Sequence, residues 1–215
     1  MNITRPYVSS LRDEQAVETR RRILAAAYDL FIDRGYPATT MAAIAAAAGV
    51  STQTVYTAFG SKPALLKKVY DVHVVGDDLE IPFAQRPEVI ATYQETNPRR
   101  FLAMYVHLGR MLIGRVGPLM RVILAGAHGG DPALQAHIAT TNAERLVGTG
   151  MAAQRVADLG GLRPGLSVEQ ARDVIWALVS IELWDLLSHE RGWSDDEVED
   201  WVARTIADGV LRSGL

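Results

Sequence analysis

The chain has 215 residues, 48% of them hydrophobic and 22% charged, enough apolar material for one large or two modest packed domains and too much for an intrinsically disordered chain. Cysteine is absent, which excludes disulfides, thiolate nucleophiles and Cys-bound metal together. The net charge of −3 is uneven: residues 1–75 hold nine Lys or Arg against six Asp or Glu, the remainder thirteen against nineteen, as in a reader of polyanions joined to a body that does not touch them.

Residues 1–13 show no apolar period and contain Pro6, which predicts a loose arm whose Arg5 and Arg12 either reach a minor groove or sit in a free tail. Residues 14–34 read as a first helix, with Ile23, Ala27, Leu30 and Phe31 as one buried stripe and Gly35 as its end. Arg20, Arg21 and Arg22 near its start either touch phosphate or form a solvated face, and spacing does not choose between the two. Met41, Ile44, Ala45 and Ala48 fall at i, i+3, i+4 and i+7, one face of a short second helix that Thr40 can cap. Gly49 suits the left-handed residue that ends a helix, and Ser51 can accept from the first free amides of the next. That third helix, about residues 52–59, buries Val55 and Phe59 and leaves Thr52, Gln53, Thr54 and Tyr56 to face outward. Two short helices joined by a Gly-containing turn form a helix-turn-helix, and an acid-free face of hydroxyls, an amide and a phenol can hydrogen-bond base edges and phosphates in a major groove. No Asp or Glu occurs between Asp33 and Asp71, whereas Arg34, Lys62, Lys67 and Lys68 do. Ser61, Lys62 and Pro63 read as the start of a fourth helix, with Ser61 as cap and Pro63 in the first turn.

The span from Thr19 to about Asp71 resembles the DNA-binding domain of the TetR family of one-component transcriptional regulators. The matching positions are Ile23, Ala26, Ala27, Leu30, Phe31, Gly35, Tyr36, Thr39, Thr40, Ile44, Ala45, Ala48, Gly49, Val50, Ser51, Thr54, Tyr56, Phe59, Lys62 and Leu65. The resemblance implies that the first helix braces the helix-turn-helix pair, that the Thr40 hydroxyl meets a phosphate, and that Tyr56 and Lys62 grip the DNA backbone. Candidate DNA-binding residues are therefore Thr40, Ser51, Thr52, Gln53, Thr54, Tyr56, Thr57 and Lys62. The sequence departs from the commonest family pattern in having no Lys or Arg within 52–58, which places readout on Gln53, Thr52, Thr54 and methyl contacts.

After about Gly76, Pro82, Pro87 and Pro98 punctuate a region with a short helix near residues 88–96. Helical patterns follow over residues 99–115, 119–127 and 132–159, the last with Gly148 and Gly150 as a break or kink. Residues 160–167 are a loop, and 168–190 and 195–211 close the chain as two amphipathic helices. No strand pattern is present. The fold class is all-α: an arm at 1–13, a helix-turn-helix domain at 14–75 and a larger helical ligand-binding and dimerisation domain at 76–215.

Met104, Tyr105, His107, Leu108, Met111, Met120, Ile123 and Trp176 are either plain core or the lining of a pocket for a small apolar ligand; the family resemblance implies an inducer site somewhere among them. His107, Arg110, His128, Asn142 and Glu182 are its polar candidates. TetR-like proteins dimerise through their last two long helices, which here implicates Trp176, Val179, Leu183, Leu187, Trp201 and Ile206. A homodimer is also what one short recognition helix demands, since two copies are needed to read a pseudo-palindrome. No HExxH, GxGxxG, P-loop or GxSxG motif occurs, and His189-Glu190 is not followed by the second His a zinc helix needs. An enzyme, a cofactor and a metal site are not expected. No eighteen-residue apolar run and no signal pattern is present, which predicts a cytoplasmic protein outside the membrane.

Overall fold

The computed structural model describes residues 7–76 and 81–214. Ten α-helices occur among them: α1 (Tyr7–Ala38), α2 (Met41–Ala47), α3 (Thr52–Phe59), α4 (Lys62–Val75), α5 (Pro87–Gln94), α6 (Pro98–His128), α7 (Pro132–Asp158), α8 (Val168–Leu178), α9 (Ile181–Asp185) and α10 (Asp195–Val210). A 3₁₀ turn at Phe83–Gln85 and a π turn at Leu186–Glu190 complete them. The described residues contain no strand, only an isolated bridge between Leu162 and Leu211.

The chain divides into two compact units. One takes the sequence up to Val74 together with Pro118–Ile138; the other takes Val75–Gly117 and everything from Ala139 onward. The first unit is built on α1, whose Ile23, Ala27, Leu30 and Phe31 are buried as their spacing predicts. Val55 and Phe59 of α3 and Leu65, Leu66, Val69 and Tyr70 of α4 are buried too. From the distant segment come Leu119, Ile123 and Leu134, all fully buried, and His137, which meets Tyr70 edge-on with ring centroids 5.1 Å apart.

The second unit has its own core, in which Phe101, Leu102 and Val106 of α6 meet Ala152, Ala153 and Val156 of α7, Ala171 and Ile175 of α8, and Val198, Val202, Ile206 and Val210 of α10. Ser167 with Gln170 and Ser194 with Glu197 form reciprocal capping boxes that start α8 and α10. Gly109 marks a close crossing in this unit, for a Cβ there would come within 2.5 Å of Val179 Cγ1.

Four expectations about elements change. Residues 7–13, expected in a loose arm, are instead helical, since α1 begins at Tyr7; Arg5 lies outside the described residues. Residues 99–115 and 119–127 belong to one helix, α6, which carries Pro118 inside it. Pro118 removes one backbone donor, a loss that a 31-residue helix anchored along both halves absorbs. Gly148 and Gly150 do not interrupt α7; they give close approach, with a Cβ at Gly150 lying 3.6 Å from Arg172 Cδ. The expected helix over 168–190 is instead broken at Val179, whose φ of −92° and ψ of 63° leave the α region. The break frees the carbonyls of Trp176 and Val179, and Arg145 Nη2 donates to both, at 2.9 and 2.8 Å.

Candidate nucleic-acid interface

The turn between α2 and α3 closes by backbone geometry that its sequence requires. Val50 N–H donates to Ala45 O at 3.0 Å and Gly49 N–H to Ala46 O at 3.2 Å, the paired bonds of a Schellman motif. Gly49 has φ of 65°, a left-handed conformation that costs a residue without a Cβ little. Thr40 caps α2, its hydroxyl accepting from Ala43 N–H at 3.1 Å. Ser51 caps α3, its hydroxyl accepting from Thr54 N–H at 3.0 Å. Ser61 accepts from Ala64 N–H at 3.3 Å at the start of α4.

With Val55 and Phe59 turned inward, α3 presents Gln53, Tyr56 and Thr57 to solvent, and Thr52 and Thr54 are half-buried. Gln53 Nε2 lies 3.4 Å from Thr57 Oγ1, a long and easily exchanged bond. The Thr54 hydroxyl is already paired with Ser51 at 2.8 Å, so it serves the cap. Tyr56 is 47% exposed. Thr40, Ser51, Gln53, Tyr56 and Thr57 thus form one accessible set on α3 and its two flanking caps.

Lys62 faces inward rather than into solvent alone. Its ammonium donates to Tyr36 O at 2.8 Å and Thr39 O at 2.9 Å and lies 4.1 Å from the Tyr36 ring centroid. Burial lowers its pKa, with Asp131 opposing that shift. Burial and then Asp131 push the Tyr36 phenol up to about 12. Two lysine donors therefore tie the start of α4 to the turn that holds Thr40. Arg20, left open from sequence, also has an internal partner: its Nη1 donates to Ala58 O at 3.0 Å, and its guanidinium lies 4.6 Å from the Phe59 ring centroid. Nothing in the sequence marks that pairing, since 38 residues separate the partners.

The residues expected to line a ligand pocket are divided between the units. Met120 and Ile123 are buried in the first; Leu108 is buried and Met104, Tyr105, Met111 and Trp176 are half-buried in the second. Desolvation raises the Tyr105 phenol, helped by Tyr93 and opposed by Arg145. The Arg145 guanidinium lies 5.0 Å from the Trp176 ring centroid, and the Trp176 indole N–H is buried without a hydrogen-bond partner. His107 is exposed and pairs with Glu199 at 2.9 Å, and Arg110 bonds Asp196 and Glu199, so both bind α6 to α10. Sequence reasoning missed an open trough of about 510 Å³ beside α7, lined by Tyr93, Val147, Gly150, Met151, Gln154, Arg155 and Asp158. Sequence offers only the one-turn spacing of Val147 and Met151; the structure shows them 65% and 54% exposed.

Of the expected dimer residues, Trp176, Val179, Leu183, Leu187 and Trp201 are half-buried in the second unit. Ile206 is instead fully buried in that unit's own core, because the stripe Val198, Val202, Ile206 and Val210 on α10 faces inward. Trp193, exposed, meets Trp201 edge-on at 6.1 Å, and Leu186 is exposed on the preceding turn. Among the described residues no group of three His, Asp or Glu could hold a metal ion, and no helix is long and apolar enough to cross a membrane.

Residues 23–69 match the family model described as bacterial regulatory proteins, tetR family. No curated protein matches the chain. Among solved structures, SmeT in complex with triclosan is 25% identical over 91% of this chain and 93% of its own, with a TM-score of 0.71. NalD, the secondary repressor of the MexAB-OprM multidrug efflux pump in Pseudomonas aeruginosa, is 24% identical over 93% of this chain and 99% of its own, with a TM-score of 0.69.

Proposed function

We propose that this chain, whose residues 23–69 match the model of the tetR family of bacterial regulatory proteins, is a cytoplasmic, ligand-responsive transcriptional repressor without catalytic activity. It binds a pseudo-palindromic operator as a homodimer and is released by a small, largely apolar inducer. Residues 14–75 read DNA, and 76–215 bind the inducer and dimerise.

The observation that carries this reading is the face of α3: Gln53, Tyr56 and Thr57 exposed and uncharged on a helix whose two apolar side chains are buried. Such a face can donate to and accept from base edges, while the caps at Thr40 and Ser51 stand where phosphates pass. Repression and an apolar inducer are supported by the likeness to NalD, a repressor, and to SmeT, which binds triclosan. Release follows from differential binding: the inducer favours a state whose two readers are wrongly spaced for adjacent major grooves. A coupling of about 2–3 kcal/mol lowers operator affinity roughly thirty- to hundredfold, and a ligand that bound both states equally would release nothing.

The test is fluorescence anisotropy with duplex flanking the gene, against scrambled duplex, in a salt series. Tighter binding to the flanking duplex at two chains or a multiple of two per site supports the reading. If selection from random duplexes also enriches no palindrome, the reading fails.

A further inference from the structure

We propose that Arg20 is a positioning residue for the recognition helix: it holds α3 in its reading pose from behind and contacts no DNA. This rests on the DNA-reading role proposed above. Few buried side chains fix α3. The helix has eight residues and buries only Val55 and Phe59, so two side chains on one line leave rotation about that line weakly resisted. Its first turn is fastened by Ser51. At its last turn, Tyr56 O accepts from Gly60 N–H and Phe59 O from Ser61 N–H. Ala58 O accepts from Arg20, which reaches across from α1.

The same guanidinium covers the Phe59 ring, so one planar group holds both a last-turn carbonyl and one of the two apolar anchors. A cation at the negative end of a helix is also favourably placed. Arginine combines a flat face for stacking with in-plane N–H groups that can be directed at a carbonyl; the round ammonium of lysine keeps the charge and loses the fork. Arg20 is exposed and, in a run of three arginines, looks like a phosphate ligand. Its hydrogen bond and its ring contact both point into the protein.

The two roles separate in one experiment. Arg20→Lys preserves charge, so a phosphate ligand would keep its affinity and its salt slope. A positioning residue predicts that preference for the operator over scrambled duplex falls about tenfold, with binding to scrambled duplex and the slope unchanged. Arg20→Ala should likewise leave the slope alone; a slope shallower by about one, with preference intact, is the signature of a lost phosphate contact and overturns the proposal. Amide hydrogen exchange on free protein supplies a readout without DNA. In Arg20→Lys the amides of Val55 to Gly60 should exchange faster while those of Leu65 to Val69 keep their protection, and unchanged exchange across α3 overturns the proposal. If wild-type protein shows no sequence preference at all, the DNA-reading role fails, and the exchange measurement still decides whether Arg20 fastens α3.

Discussion

Thr39 and Thr40 carry the same hydroxyl into opposite surroundings. Thr39 is fully buried, its Oγ1 lying 2.9 Å from Leu30 O and 2.8 Å from Gly35 O, where Gly35, at φ 75° and ψ 162°, breaks α1. Thr40 is exposed and caps α2. At Tyr56 the ring's position and the hydroxyl's use are separable. Tyr56→Phe removes only an exposed hydroxyl, so operator binding should weaken about tenfold, the loss of one hydrogen bond to a charged group, while the melting temperature stays unchanged; anisotropy and calorimetry check the two halves. Ser51→Ala removes the cap of α3 and should lower stability by about 1 kcal/mol, read as a lower denaturant midpoint at unchanged m-value. Tyr36 gives the pH dependence. Its phenol is raised to about 12, so the folded state prefers the protonated form over an ordinary phenol near 10. That contribution is complete below about pH 10 and is lost as pH rises towards 12. A phenolate absorbance titration of wild type minus Tyr36→Phe should show the missing group ionising near 12 rather than near 10.

At the scale of elements, two glycines in α6 behave oppositely. A Cβ at Gly109 would press on Val179 where α6 crosses the break after α8, whereas one at Gly114 meets nothing within 4 Å. Gly109→Ala should therefore cost about 1–3 kcal/mol through overpacking, and Gly114→Ala should add about 0.5–1 kcal/mol by lowering the entropy of the unfolded chain. Urea unfolding of the pair checks both signs. The break itself depends on Arg145, which satisfies two carbonyls that a continuous helix would have bonded internally.

At the scale of the molecule, the unit that holds the helix-turn-helix also contains Pro118–Ile138. Asp131, at the start of α7, acts electrostatically on Tyr36 and Lys62. The segment that joins α6 to α7 therefore bears on the root of α4, beside the helix-turn-helix. Both helices continue from that segment into the other unit. Asp131→Asn should change operator affinity without changing the salt slope, since its charge acts on Tyr36 and Lys62 rather than on phosphate; a parallel change in slope would show that Asp131 sits within the field of the DNA.

The sequence by itself determined the local structure of the reader. Cap hydroxyls at Thr40, Ser51 and Ser61, the left-handed glycine at 49 and the apolar spacing of α1 to α3 act over four residues or fewer, so each is legible from its neighbours. Tertiary structure alone decided where the cations point. Lys62 meets carbonyls 26 and 23 residues away and Arg20 meets one 38 residues away, and nothing in a local window marks such partners. The same reason explains the continuous α6, the broken α8 and the division of Met120 and Ile123 from Met104 and Trp176. Each depends on which distant surface a helix is pressed against, and periodicity records only that a face is apolar.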